Sequence, residues 1–111
     1  MPKDDLVYVG HMLDTARKAA EKIRNKNRGD CETDEDLCIV LAHLIQIIGE
    51  AARNVSPEYK AKEAGVPWTE IIAMRHKVVH DYMDIDYDIV LDVAFVELPG
   101  LIKQLEKLVP N

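Results

Sequence analysis

Apolar residues recur at alternating steps of three and four along most of this chain, and this spacing places them on one face of an α-helix. The first such run extends from Asp4 to about Asn25 and ends in the polar segment NKNRGD, where Gly29 predicts a break. Its apolar stripe is narrow, which suits packing against other helices. The stripe consists of Leu6, Val9, Leu13, Ala16, Ala20 and Ile23.

The second run, from Asp34 to Asn54, is apolar over most of its circumference. Thr33 precedes it as the predicted N-cap, and Gly49 is expected to permit the close approach of another helix. A helix with so wide an apolar surface is either central in the fold or covered on its second side by a partner. One face carries Leu37, Leu41, Leu44, Ile45 and Ile48, and Val40, Ile47 and Ala51 widen it.

A short connecting helix is predicted in SPEYKAKEAG, where Ser56 is the cap, Pro57 the first helical residue and Gly65 the stop. The third long helix is predicted to start near Pro67 and to cover WTEIIAMRHKVVHDY, ending at Tyr82. It carries more polar chemistry than any other predicted helix of the chain, which makes it the expected location of the functional residues.

The fourth predicted helix starts after MDID and extends to about Leu108. Pro99 lies inside it, so a kink or break is expected near residues 96–98. Strand signals are absent from the chain. These segments predict an all-α fold, a four-helix up-down bundle with a short additional connecting helix, which residues 1–111 form as one domain.

The composition limits the class of protein. Apolar residues make up 48% of the chain and charged residues 31%, which is typical of a globular protein. The net charge of −6 argues against a general nucleic-acid coat or a membrane-surface binder, but it leaves room for a small basic site. No apolar run approaches the roughly 20 residues of a membrane span, and MPKDDLVYVG lacks the basic start of a secretory signal. With only Cys31 and Cys38, we expect reduced thiols in a cytoplasmic protein.

A permanent cation interrupts the apolar face of the third helix. At about 100° per residue, Arg75 falls near the centre of an apolar arc bounded by Met74 and Ile72, and Tyr82 falls on the same line. Burying an unpaired guanidinium is very costly, so three outcomes are open. The side chain pairs with an acid, for which Glu50 is the first candidate; it extends past the helix edge into solvent; or its face opens onto a cleft that binds an anion.

Two histidines lie just beyond this arc. His76 and His80 have the i, i+4 spacing that can hold a metal, but no acidic or thiol ligand at metal spacing accompanies them, so no metal site is predicted. A solvated pair and a catalytic base both remain open for them, because histidine titrates near neutral pH. His43 is expected in the core or at an interface, and His11 at the surface.

The spacing Arg75-x-x-x-x-His80-x-Tyr82 resembles the R-x4-H-x-Y motif of HepT-like proteins, a family of small helical ribonuclease toxins in the HEPN group. The likeness extends to IIGEAARNVSPEYK (residues 47–60), to VPWTEIIAMRHKVVHDYMDIDYDIV (66–90) and to ELPGLIKQLEKL near the end of the chain. One departure is His76, since the family usually has asparagine directly after the motif arginine.

This resemblance implies a homodimeric helical bundle whose motif helices meet near the two-fold axis and form an RNA-cleaving cleft, with no cofactor. It also implies a neighbouring nucleotidyltransferase antitoxin, which in some systems transfers AMP to the motif tyrosine and silences the toxin. The expected catalytic residues are Arg75 and His80, the expected modification site is Tyr82, and the supporting residues are Glu50, His76 and Lys77.

Metal-free RNA cleavage needs a base for the ribose 2′-hydroxyl and a fixed cation on the phosphate, and His80 and Arg75 are residue types that supply them. About 140° around the helix axis separates the two, so one straight helix does not aim both at one point. Either two paired chains bring the arginine of one near the histidine of the other, or the helix unwinds before DYMDID. The alternative function is a non-catalytic helical dimer that binds a nucleotide or a nucleotidyltransferase, which the charge of −6 on each chain, −12 on two, favours.

Overall fold

The computed structural model describes residues 2–81 and 84–110. This part of the chain is helical apart from its loops and one short β-hairpin. The helices are α1 (Pro2–Lys22), α2 (Arg28–Glu32), α3 (Glu35–Arg53), α4 (Pro57–Lys62), α5 (Trp68–Val78), α6 (Tyr87–Asp92) and α7 (Leu98–Leu108). The hairpin consists of β1 (Val79–Asp81) and β2 (Asp84–Ile85), and a π-helical segment, Val93–Glu97, joins α6 to α7.

Helix α3 is the organising element of the bundle, because it packs against α1, α5 and α6. Helix α7 packs against α1. The core is aliphatic, and its fully buried side chains include Met12, Leu41, Ile45, Leu91 and Leu98. The all-α bundle predicted from the sequence is confirmed, with α1, α3, α5 and the α6–α7 segment as its main helices and α4 as the short connecting helix.

The loop between α1 and α3 differs from the prediction at two points. The expected break in NKNRGD contains the start of α2, because Asn27 and Asp30 form a reciprocal capping box. The predicted N-cap of α3, Thr33, was wrong. Asp34 caps α3 by accepting the Leu37 N–H at 3.0 Å, while Thr33 ends α2. The cap of α2 at Asn27 and the cap of α3 at Asp34 therefore define a short helix where the sequence indicated only a loop.

The start of α1 is fastened to the start of α4 by a buried carboxylate. Asp5 accepts hydrogen bonds from the Ser56 N–H and from the Ser56 hydroxyl, both at 2.8 Å. The Ser56 hydroxyl oxygen in turn accepts the Tyr59 N–H at 3.2 Å, which confirms Ser56 as the predicted cap of α4. The backbone hydrogen bond from Ser56 is the main cause that lowers the pKa of Asp5, so the side chain stays ionised in its buried position.

Helices α3 and α5 approach closely at Gly49, as predicted. A Cβ atom on Gly49 would lie 3.0 Å from the carbonyl oxygen of Ile71 and 3.5 Å from the Cβ atom of Arg75. Any larger residue would push the two helices apart. The glycine therefore sets the distance at which the next residue of α3, Glu50, meets Arg75 on α5.

Helix α5 ends at Val78, four residues before the predicted end, and the expectation of no strands was wrong. The chain turns into β1 at Val79, which pairs with Ile85 of β2 in an antiparallel register. Two successive β-branched residues favour extended backbone here, and the Asp86 N–H donates to the Val78 carbonyl at 2.8 Å. The helix thus unwinds before DYMDID, which is one of the two alternatives given above for the angle of about 140° between Arg75 and His80. Tyr82 lies outside the described residues.

The break expected near residues 96–98 is present as the π-helical segment Val93–Glu97. Here the Leu98 N–H donates to the Val93 carbonyl, one residue further back than in an α-helix. Pro99 at the start of α7 lacks an N–H and its ring crowds the preceding turn, which accounts for the widened backbone. None of the described helices is long and apolar enough to cross a membrane.

Candidate functional site

One side of α3 remains uncovered in the single chain. Ile39, Val40 and Ile47 are 45%, 40% and 36% exposed, whereas Leu41 and Ile45 on the opposite side are fully buried. We call Ile39, Val40 and Ile47 the α3 apolar patch. The bundle thus covers only about half of the wide apolar circumference predicted for this helix, and the α3 apolar patch remains exposed to solvent in the single chain.

Arg75 projects from α5 beside this patch and contacts the predicted acid. Its Nη1 atom donates to Glu50 Oε2 at 2.6 Å. The pair is not buried, because the Arg75 side chain is 24% exposed and the Glu50 side chain 51%. The Nε atom of Arg75 is buried and has no hydrogen-bond partner among the described residues. Arg75 therefore combines an ion pair at the surface with one buried donor, Nε, that no described residue satisfies.

An open depression of about 450 Å³ surrounds this pair. His76 lies in its wall, as do Ile47 of the α3 apolar patch and the exposed His43. His43 was expected in the core or at an interface, and it stands at the edge of the uncovered side rather than in the core. Lys77 lies elsewhere, in a groove with Glu70 and Met74 on the far side of α5.

His80 is on β1, where a carboxylate contacts its ring. Its Nε2 atom lies 3.2 Å from Asp86 Oδ2, and its side chain is 54% exposed. The other Asp86 oxygen accepts the Ile89 N–H at 3.1 Å and caps α6. The hydrogen bond from the Ile89 N–H is the main cause that lowers the pKa of Asp86, and the hydrogen bond with His80 lowers it further. Sequence reasoning missed Asp86 as a site residue, although an aspartate directly before a helical run is a recognisable N-cap signal.

A second open cleft, of about 800 Å³, contains His80. Its wall is acidic, with Glu35, Asp84 and Asp88 in addition to Asp86. A neutral phenol completes it, since burial and the neighbouring Glu35 raise the pKa of Tyr87. The cleft places one imidazole among four carboxylates, so its field disfavours an anion such as a phosphate unless cations from outside the cleft balance the charge.

Within one chain, Arg75 and His80 line different depressions. Both depressions border the α3 apolar patch, through Ile39 beside His80 and through Ile47 beside Arg75. The end of α5 at Val78 also moves His80 off the helix, so His76 and His80 do not share a helical face. No cluster of three or more histidine, cysteine or acidic side chains with metal-binding geometry occurs among residues 2–81 and 84–110.

Comparison with known proteins gives one consistent result. The profile of the family described as "Ribonuclease HepT-like" matches residues 12–108. A "Putative RNase" of Caldanaerobacter subterraneus subsp. tengcongensis is 32% identical over 101 residues, which cover 91% of this chain and 90% of the relative. A "Probable ribonuclease HepT" of Thermococcus cleftensis is 30% identical over 78 residues, 70% of this chain and 69% of the relative.

A third relative carries an additional activity in its name. The "Gamma-glutamylcyclotransferase and putative RNase" of Methanocaldococcus jannaschii is 29% identical over 108 residues, which cover 97% of this chain but only 49% of the relative. The chain therefore spans about half of that protein. No solved structure gives a significant match.

Proposed function

The chain belongs to the HepT-like ribonuclease family, and from that premise we propose that it is a toxin that cleaves RNA as a metal-independent endonuclease. The observation that carries this proposal is the position of Arg75 and His80 at opposite ends of the α3 apolar patch, beside Ile47 and Ile39 respectively. One chain keeps the phosphate-binding cation and the base apart. Two chains joined through the patch would bring them together.

The proposed assembly is a homodimer with two-fold symmetry. In such an interface the same patch meets itself, so the α3 apolar patches of two chains cover each other. We propose that the two-fold axis runs across α3, so that the two copies of α3 are antiparallel and the ends of the patch are exchanged. The Arg75 depression of one chain then lies opposite the His80 cleft of the other. This arrangement supplies the acidic His80 cleft with the external cation that it needs.

In the proposed reaction, His80 takes the proton of the ribose 2′-hydroxyl. The 2′-oxygen attacks the adjacent phosphorus, the bond from phosphorus to the 5′-oxygen breaks, and the leaving oxygen takes up a proton. The products are a 2′,3′-cyclic phosphate and a 5′-hydroxyl. Arg75 binds the non-bridging oxygens and stabilises the charge that builds on them, for which the planar guanidinium fork is well shaped.

The ion pair with Glu50 does not prevent Arg75 from binding phosphate. Because both side chains reach solvent, their pairing is worth at most about 1 kcal/mol, and a phosphodiester can displace or share the carboxylate. We propose that Glu50 orients the free guanidinium and that His76, in the same depression, adds a polar contact to the phosphate. Lys77, on the far side of α5, would support RNA binding only through its charge.

Pairing through the α3 apolar patch can be tested with two matched substitutions. Ile47→Glu places a carboxylate in the proposed interface, which costs roughly 3 kcal/mol and raises the dimer dissociation constant about 100-fold. We expect a monomer in sedimentation and loss of RNA cleavage in EDTA. Val96→Glu is the control, because Val96 is 67% exposed on the π-helical segment, away from the patch. An Ile47→Glu variant that remains dimeric and active would contradict the proposed interface.

We further propose that a nucleotidyltransferase encoded nearby acts as the antitoxin and transfers AMP to Tyr82. Tyr82 follows His80 by two residues in the sequence, so we expect the added phosphate and adenosine to obstruct the proposed base.

The buried free thiols of Cys31 and Cys38 suit a cytoplasmic setting for this pair of proteins. We also propose that residues 1–111 act as one domain.

Co-expression with that nucleotidyltransferase is expected to add mass in multiples of one adenylyl group. Intact-protein mass spectrometry measures the gain. Tyr82→Phe should abolish it, whereas Tyr87→Phe, which removes the tyrosine hydroxyl of the His80 cleft, should retain it. A gain that persists in Tyr82→Phe would assign the modification to another residue.

The alternative function is a helical dimer that binds a nucleotide or a nucleotidyltransferase without cleaving RNA. The acidic wall of the His80 cleft and the charge of −6 per chain favour it, because both repel RNA at low salt. The two functions differ in one measurement, the cleavage of RNA by purified protein.

A further inference from the structure

Asp86 is held in place from three directions. Its N–H donates to the Val78 carbonyl at 2.8 Å, which fixes its backbone against the end of α5. Its Oδ1 atom accepts the Ile89 N–H at 3.1 Å as the cap of α6. Its Oδ2 atom is then left facing His80 Nε2 at 3.2 Å. The cap of α6 and the hairpin therefore orient the second carboxylate oxygen toward the imidazole ring.

This contact determines which imidazole nitrogen carries a proton. An ionised carboxylate only accepts hydrogen bonds, and the hydrogen bond from Ile89 helps to keep Asp86 ionised by lowering its pKa. The Nε2 atom must therefore be the donor. In a neutral histidine the other nitrogen, Nδ1, then has the free lone pair.

We propose that Asp86 is a positioning residue that holds His80 in the Nε2–H form, so that Nδ1 takes the proton from the RNA 2′-hydroxyl. The inference rests on the proposed ribonuclease function and adds to it the orientation of the base. Asp86 also stabilises the imidazolium that forms once His80 has taken the proton, since the two then form an ion pair.

The other acids of the cleft do not have this role. Asp84 and Asp88 are exposed, and Asp88 lies 3.9 Å from the guanidinium of Arg28. Glu35 accepts a hydrogen bond from the Tyr87 hydroxyl at 3.4 Å. Among the described residues, Asp86 is the carboxylate in hydrogen-bond contact with the His80 ring. The remaining acids act on His80 only through their field, so Asp84 provides a matched control.

Asp86→Asn separates positioning from capping. Asparagine is as good an N-cap as aspartate, so its amide oxygen can still accept the Ile89 N–H and preserve α6. Its NH₂ group then faces His80 Nε2 and donates to it, which favours the Nδ1–H form and blocks the proposed base. We expect kcat to fall at least about 100-fold, the lower end of what a positioned general base contributes, because the wrong tautomer removes the base while the groups that bind RNA remain. KM should change less than threefold.

The decisive readout is the nitrogen NMR spectrum of the His80 ring in the dimeric protein, assigned by comparison with His80→Ala. The expected result is an Nε2–H ring in wild type and in Asp84→Asn and a shift toward Nδ1–H in Asp86→Asn. An unchanged tautomer in Asp86→Asn, or wild-type kcat in that variant, overturns the inference. Wild-type cleavage by His80→Ala would instead refute the proposed function, whatever the tautomer, so the two failures are distinguishable.

Discussion

Replacing His80 by alanine is expected to slow RNA cleavage by about 10²- to 10⁴-fold, which is the range that a positioned general base contributes. The loss should appear with no metal in solution, since the proposed base and the proposed cation are both side chains. The His80 side chain is more than half exposed, so its removal should cost little stability and the variant should remain a folded dimer.

Replacing Arg75 by alanine belongs to the same prediction and tests the other half of the site. Removing a group that stabilises the developing charge typically costs about 10²- to 10³-fold in rate. The Glu50 carboxylate that loses its partner is 51% exposed and can return to water, so the fold should tolerate the change. Arg75→Lys should recover part of the activity, because lysine keeps the charge but lacks the planar fork.

Both variants are measured on purified protein in EDTA, by the appearance of RNA ends that carry a 2′,3′-cyclic phosphate. His11→Ala controls for the loss of an exposed histidine. Arg17→Ala controls for the loss of a surface ion pair, since Arg17 Nη2 lies 2.9 Å from Glu106 Oε2 in an arrangement like that of Arg75 and Glu50. Equal cleavage by wild type, His80→Ala and Arg75→Ala would remove the enzyme function and leave the non-catalytic dimer.

The parts of the fold that were predictable from the sequence depend on local rules. The boundaries of α3 followed from apolar periodicity, and the start of α4 from a serine that precedes a proline. The close approach at Gly49 followed from the cost of a glycine within a helix, which a packing contact justifies. The contact between Arg75 and Glu50 was one of three outcomes that the sequence left open, with Glu50 as the first candidate acid.

The features that the sequence did not predict depend on hydrogen bonds between residues that are too far apart in the sequence for helical periodicity to relate them. The periodicity that predicted α5 continues through Val79, and nothing local indicates that the Asp86 N–H would bond to the Val78 carbonyl. Without that bond the hairpin is not apparent, and neither is the contact between His80 and Asp86. The solvent exposure of the Arg75 pair was also inaccessible, because it depends on which side of α3 the bundle leaves uncovered.

The central claim is that each cleavage site combines Arg75 of one chain with His80 of its partner. A mixed dimer tests it most directly. In a dimer of one Arg75→Ala chain and one His80→Ala chain, one of the two shared sites carries both substitutions. The other site has the intact arginine of the second chain and the intact histidine of the first.

The measurement is the RNA-cleavage rate of that mixed dimer, purified by a different tag on each chain and compared with the two single-variant dimers. The shared-site arrangement predicts about half of the wild-type rate, since one of the two sites of the two-fold assembly is restored. The single-variant dimers should each stay at least about 10²-fold below wild type. A mixed dimer as inactive as its parents would contradict the claim, because it would place both residues of each site in the same chain.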